Sequence, residues 1–437
     1  MADCFVHASD LHLDAPLGNL GMLDKERQRD LAKRAAGAWQ CLVQLCIDEE
    51  ASFLVLAGDI FHEAAAGVGV QQLFQDGLRE LDGSGVSVFI CHGNHDPLGK
   101  DFRPIGELPQ NAVRFEPGKP QWHPVTLRHS RDRVQVSGVS FGVQHERENL
   151  ASRFREIERP QDAAAHIAVL HANVGSSSGH GEYAPCTWDD LDTESVDYWA
   201  LGHIHKRGIR RLPNGAWAAY CGNLQGRNFK PSECEPKGAL VVPIEDGRIG
   251  EPAFMPCDRV RFERSDLEVT PGDSVECVSS KIRNVARELG DKHAPQPVAW
   301  KCRLIGSNAE ATRLHEPGFR RGLLDGSADE LSGRLNGGGL CDVRISLREP
   351  VDRERIVEAG DLRVEVLNAL DRLRDTAESS DAANPELGDL LLGLLPDDVK
   401  WAWRQALEED REIMSDVVDL TEQLLLAALD ERSADAK

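Results

Sequence analysis

Short apolar runs separated by charged, amphipathic stretches set the rhythm of residues 1–257. Eight runs stand out: CFVHAS (4–9), SFLVLAG (52–58), VSVFICH (86–92), RVQVSGV (133–139), HIAVLHA (166–172), DYWALGH (197–203), AWAAYCG (216–222) and GALVVPI (238–244). Each has the length and β-branched or aromatic make-up of a buried strand. Between the first two, Leu31, Ala35, Ala38, Leu42, Leu45 and Cys46 recur near helical spacing among Arg, Lys and Glu. That spacing predicts one amphipathic crossover helix over residues 24–51. Strands alternating with helices define an α/β domain over 1–257.

The rhythm changes after residue 257. RVRFERSDLEV (259–269), SSKIRNVARELG (279–290), VAWKCRLIG (298–306) and CDVRISLRE (341–349) predict a smaller β-α-β unit over 258–350. A polar stretch, RDTAESSDAANPELGD, reads as a linker within 351–437. The last segment places Leu, Trp, Ile and Val at helical spacing on an acidic background. It suits packing on its own protein and docking on a partner equally well.

Composition adds three limits. No apolar run approaches eighteen residues and no basic-then-apolar leader opens the chain, so a cytoplasmic protein without a membrane span is expected. The eleven cysteines include no C-x-x-C pair and read as buried thiols. The net charge of −23 opposes a nucleic-acid partner on its face, yet −10 of it falls in residues 381–437. Clustered carboxylates that bind divalent metal also look acidic until loaded.

Chemistry concentrates where the strands stop. Five strand ends read SDLHLD (Asp10, His12), LAGDIFHE (Asp59, His62), CHGNHDP (Asn94, His95, Asp96), VLHANV (His171) and LGHIHKR (His203, His205), and thirteen of the fifteen histidines lie in the first 205 residues. A lone histidine is ordinarily structural, but five such ends point to ligation. Carboxylate, imidazole and amide oxygen without thiolate suit a pair of divalent ions such as manganese. Two metals suit in-line displacement at phosphorus. D-x-H and H-x-H each put two donors on one side of an extended chain.

In this order, SDLHLD, GDIFH, GNHD, a lone His after a strand and GHIH resemble the calcineurin-like metallophosphoesterases. GDIFH is similar to the SbcD-type DNA repair nucleases, and GHGEYAPCTWDDL and CGNLQGRNFKPSECEPKG to the YhaO group of DNA repair exonucleases. The resemblance implies a four-layer β-sandwich flanked by helices, a smaller α/β cap over 258–350 and a helical C-terminal segment. It implies that Asp10, His12, Asp59 and His205 hold one metal and Asp59, Asn94, His171 and His203 the other, with Asp59 bridging. His95, oriented by Asp96, would assist the leaving oxygen, and His62 would lie near the substrate strand. Arg227 and Asn228 are candidates for substrate phosphate, Asn228 standing where the group's pattern has His.

The implied activity is manganese-dependent hydrolysis of DNA by hydroxide attack on phosphorus. The implied partners are DNA, an SbcC-like coiled-coil ATPase docked on the C-terminal segment, and a second copy in a homodimer. No G-x-x-x-x-G-K-[ST] occurs, so ATP hydrolysis would belong to another chain. Two other readings stand beside it: a phosphatase or small-molecule phosphodiesterase of the same fold, and a non-catalytic scaffold that binds DNA ends. GNHD in place of GNHE speaks against a protein phosphatase, and the presence of every expected ligand against loss of metal.

Overall fold

Alternate residues of the long strands face two different cores, and this alternation builds two sheets packed face to face. The computed structural model describes residues 3–99, 101–157, 162–175, 183–308, 314 and 328–348. The first sheet contains β1 (Asp3–Ala8), β2 (Phe53–Ala57), β3 (Ser87–Cys91), β4 (Ala112–Arg114), and further along the chain β11 (Gly238–Glu245), β12 (Arg248–Ile249) and β13 (Ala253–Pro256). Its order is β12-β11-β1-β2-β3-β4, with β13 paired to β11. The second contains β5 (Gln121–Thr126), β6 (Arg133–Val139), β7 (Ala165–His171), β8 (Tyr198–Gly202), β9 (Gly208–Arg211) and β10 (Trp217–Tyr220), in the order β5-β6-β7-β8-β10-β9.

Between the sheets, Phe5, Phe53, Val55 and Phe89 meet Val136, Ile167, Val169, Tyr198 and Ala200. Phe5 stacks on Phe53 at 4.8 Å and receives the edge of Tyr198 at 5.2 Å. The other face of the first sheet offers Val6, Leu54, Leu56 and Ile90 to Trp39 and Leu42 of α2 (Ala38–Asp48) and Phe74 and Leu78 of α3 (Val68–Gly83). The outer face of the second packs Leu170, Trp199 and Leu201 on Phe154 of a 3₁₀ turn and Leu191 of α4 (Trp188–Leu191). Helix, sheet, sheet and helix make the four expected layers. Strands buried on both faces read as continuous apolar runs, which is why all eight were recognisable.

Two features differ from the sequence reading. The single crossover helix is two, α1 (Lys25–Ala36) and α2, because Gly37, a weak helix former, flattens to ψ −6° and ends one before the other begins. Five short strands, β4, β5, β9, β12 and β13, escaped notice because they lie at or near sheet edges and carry exposed or half-buried residues where a buried strand is apolar. β5 even contains Pro124, which an edge tolerates.

Downstream follow β14 (Arg261–Val269), α5 (Val275–His293), β15 (Val298–Ser307), α6 (Ala328–Arg334) and β16 (Gly339–Arg348), the three strands forming one sheet in the order β14-β15-β16. Contacts divide the chain into two compact units. Met1–Arg264, Arg287–Trp300 and Asp329–Asp342 form the first, and the second begins at Ser265. The linker and acidic terminal segment within 351–437 lie outside the described residues. All eleven cysteines are free, and no described helix is long and apolar enough to cross a membrane.

Candidate dinuclear metal centre

Parallel strands carry their loops to one rim, and here the rims of both sheets coincide. Backbone bridges join Ser9 after β1 to Asn223 after β10, so the sheets draw together where β1, β2, β3, β7 and β8 end. Seven side chains from those ends close a ring of contacts. His205 Nε2 lies 3.8 Å from Asp10 Oδ1 and 3.2 Å from His12 Nε2. His12 Nε2 lies 3.7 Å from Asp59 Oδ2, which lies 3.5 Å from His171 Nε2. Asn94 Oδ1 stands 3.0 Å from His171 Nε2 and 3.2 Å from His203 Nδ1, and the amide of His203 donates to Asp10 at 3.1 Å.

The main chain is bent to make this ring. Asp10, His12, Asp59 and His203 all have positive φ, at 51°, 44°, 51° and 100°, a conformation that costs non-glycine residues free energy. Strain at four neighbouring polar positions marks function rather than folding convenience. Glycine makes room: a Cβ on Gly58 would stand 2.2 Å from His171 Nδ1.

The donor set fits divalent cations. Ala57 O accepts from His171 Nδ1 at 3.0 Å, so His171 turns a bare Nε2 lone pair toward the oxygens of Asp59 and Asn94. Acceptor atoms from three loops converge there. Burial lowers the proton affinity of His171, and burial followed by repulsion from His205 and His95 holds His12 far below its ordinary range. Burial, then the charges of Asp10 and Asp96, pushes Asp59 far above the carboxylate range. Buried carboxylates against neutral imidazoles are unfavourable until a cation binds them. Asp10 with His12 and His205, and Asp10 with Asp59 and His171, each gather ligand atoms within 4.8 Å of one another.

His62 and His95 border this ring. Their rings stack at 4.6 Å, and His95 stands edge-on to His12 at 4.9 Å. His95 Nδ1 pairs with His62 O at 3.1 Å, and its amide donates to Asp59 Oδ1 at 3.0 Å. Among the described residues no hydrogen bond links the His95 ring to Asp96, which acts on it through charge, raising its proton affinity. The Asp96 carboxylate accepts from the amides of Ile60, Phe61 and Gly93 and pairs with His92 Nδ1 at 3.0 Å, tying two ligand loops together. Burial would raise Asp96, but the neighbouring His92 and these amides keep it below its ordinary range.

Arg227 does not present itself to a phosphate either. Its guanidinium donates to Ala15 O at 2.8 Å, Leu11 O at 2.9 Å and His12 O at 2.6 Å, anchoring the loop that carries His12. Asn228 Oδ1 accepts from the amide of Lys230 at 2.8 Å, closing a local turn.

One residue absent from the sequence reading orders the site. Glu233, nearly buried, pairs with His205 Nδ1 at 2.7 Å through Oε1, while Oε2 accepts from Asn223 Nδ2 at 2.8 Å and the Arg227 amide at 2.9 Å. Burial pushes its carboxyl up, but His205 outweighs that and holds it at about 2. A carboxylate on Nδ1 fixes the tautomer that turns His205 Nε2 inward. Lys237 reinforces the loop by donating to His205 O at 2.7 Å. Glu233→Gln is expected to weaken divalent cation binding about 10- to 100-fold, measured by titration calorimetry, with little change in thermal midpoint. Unchanged affinity would reduce Glu233 to a structural role.

The comparisons agree with this geometry. Residues 5–207 match the calcineurin-like phosphoesterase family. The uncharacterized metallophosphoesterase YhaO of Bacillus subtilis (strain 168) is 32% identical over 291 residues, covering 67% of this chain and 69% of that protein. The DNA double-strand break repair protein Mre11 of Methanopyrus kandleri is 25% identical over 403 residues, covering 88% and 84%. Its Methanocaldococcus jannaschii namesake is 23% identical over 305 residues, covering 68% and 75%. A two-sheet hydrolase fold with oxygen and imidazole donors at one rim is a metallophosphoesterase, and the chain belongs to the calcineurin-like family of these enzymes.

Proposed function

We propose that this protein hydrolyses phosphodiester bonds in DNA, as the nuclease partner of a coiled-coil ATPase of the SbcC kind. The observation that carries the reading is the reach of the likeness. Similarity to a DNA double-strand break repair protein covers 88% of this chain, far beyond the phosphoesterase match at 5–207. Small phosphodiesters have little use for such extensions. In this reading 1–257 is the nuclease domain, 258–350 a capping and DNA-recognition domain, and 351–437 the ATPase-docking segment of a cytoplasmic homodimer.

Asp10, His12, Asp59 and His205 would hold one cation and Asp59, Asn94, His171 and His203 the other, manganese suiting the mixed nitrogen and oxygen donors. Such a pair, when bound, supplies a nucleophile at neutral pH and neutralises charge on both the attacking and leaving oxygens. The protein's share is orientation. His171 is locked by Ala57 O, His205 by Glu233, and His95 by His62 O. With Nδ1 anchored, His95 keeps Nε2 for a proton offered to the departing sugar oxygen. Because Nδ1 donates to His62 O, Nε2 carries that proton only in the imidazolium, which burial makes a stronger acid and a minority form at neutral pH. His62, exposed beside it, is placed to meet the strand.

The test is hydrolysis of end-labelled single- and double-stranded DNA with manganese, magnesium or chelator, for the native chain and His95→Ala. Manganese-dependent cleavage is expected, reduced about 10²- to 10⁴-fold by the substitution, with cation content unchanged. Turnover of a small phosphodiester without any cleavage of DNA would instead favour the small-molecule phosphodiesterase reading.

A further inference from the structure

An acidic protein that handles DNA needs a place where its charge reverses, and the structure has one two strands from the metal centre. Immediately after His205 the chain reads KRGIRR, putting Lys206, Arg207, Arg210 and Arg211 within six residues, all exposed. Lys206 and Arg207 lead into β9, which holds Arg210 and Arg211 and is the edge strand of the second sheet, paired on one side only, to β10. Edge strands commonly carry charge to discourage aggregation, but scattered lysine serves that purpose. Here each arginine is mounted on an aromatic ring: Arg207 lies 3.8 Å over Phe254, Arg210 4.7 Å over Trp188 and Arg211 4.6 Å over Trp217.

None of the three guanidinium groups pairs with a carboxylate among the described residues, whereas Arg34, Arg79, Arg133, Arg153 and Arg155 do. A guanidinium stacked face-on keeps its N–H edge free and stiff, the geometry that suits phosphate oxygens. Unpaired arginines are also conspicuous in a chain of net charge −23. From Arg207 to Arg211 an extended strand spans roughly 13 Å, longer than the spacing of neighbouring phosphates.

We infer that β9 is a phosphate rail: an exposed edge on which the backbone of a nucleic-acid strand rests as it leaves the metal centre. The inference rests on the DNA reading above and adds the surface that holds the substrate. Contacts of this kind position a strand without reading its sequence. The rail continues directly from the ligand His205, so a strand held there lies next to the donor ring. A phosphodiester polymer carries a charge at every unit and so can meet cations on both faces of an edge strand, where Arg211 over Trp217 and Arg210 over Trp188 point to opposite sides.

The triple variant Arg207→Gln, Arg210→Gln, Arg211→Gln tests it in the full-length chain. Three readouts are needed: DNA binding by anisotropy across a salt series, steady-state DNA cleavage, and hydrolysis of bis(p-nitrophenyl) phosphate, which reads the metal centre alone. The expected result is a KM for DNA raised about tenfold with kcat retained, and a log K against log salt slope flattened by about 2 on single strands. Native protein that cuts DNA, with a variant of identical KM and salt slope, would overturn the rail and leave the nuclease reading intact. Native protein that turns over the small diester but neither binds nor cuts DNA would overturn both. A variant that cuts DNA faster than native would overturn the proposal.

Discussion

Asp59→Asn is expected to lower hydrolysis on the order of 10³-fold and to leave fewer than two tightly bound cations per chain. The carboxylate faces both halves of the donor ring, with Oδ2 3.7 Å from His12 Nε2 and 3.5 Å from His171 Nε2. Amide nitrogen cannot replace the second oxygen as a ligand. The metal-free variant should nonetheless be more stable than the metal-free native chain. Burial, then Asp10 and Asp96, raises Asp59 well above its ordinary value in the folded state. Such a group costs stability as pH rises from the unfolded carboxylate range through the folded value. At neutral pH that cost is present in the native chain and absent in the variant. Calorimetric metal titration with thermal melts in chelator checks both halves. Two tight cations per chain, or a metal-free melting point no higher than native, would contradict the bridging arrangement.

That the residues were legible in sequence follows from how this fold distributes work. Each donor ends the strand that positions it or follows it within four residues, so Asp10, Asp59, His171 and His203 appear as polar punctuation closing apolar runs. What lay hidden acts across the chain. Glu233 reaches His205 from 28 residues away, and Asp96 accepts amides 35 and 36 residues upstream of itself. Neither contact leaves a periodic or spacing signal. The rail was masked differently, because a net charge summed over the whole chain cancels a local reversal of sign. Its strand carried no hydrophobic alternation to announce it, since all four residues of β9 are exposed.

Arg227 shows the reverse case. An arginine beside a phosphate-handling site invites a substrate role, but this one is committed to three carbonyls of the loop after β1. Four left-handed residues at the rim leave carbonyls that the regular sheet ladders cannot satisfy, and a five-donor side chain can satisfy several at once. Backbone strain at the candidate donors is thus held in place by polar anchors behind them. Arg227, Asp96 and Glu233 are those anchors, and their own burial is the cost of holding the ring shut.

The second large effect concerns how closely the sheets approach at this rim. Gly202→Ala is expected to destabilise the protein by about 3 kcal/mol and to impair cation binding together with it. A methyl at residue 202 would stand 1.8 Å from Ala57 O, the carbonyl that receives His171 Nδ1, and 2.8 Å from that nitrogen. Facing sheets ordinarily stand about 10 Å apart, so a backbone-to-backbone contact between β2 and β8 marks a local closure. That closure lets Asp59 of one sheet and His171 of the other lie 3.5 Å apart. Relief of the clash must either part the sheets or turn the His171 ring, and both separate the two halves of the site. Gly69→Ala is the control: nothing lies within 4 Å of a methyl there, in the first turn of α3, so stability should hold or rise by about 0.5–1 kcal/mol. Urea unfolding and metal titration of both variants decide the matter. A Gly202→Ala protein as stable as native, with native affinity for manganese, would mean that the sheets do not close on each other at the metal centre.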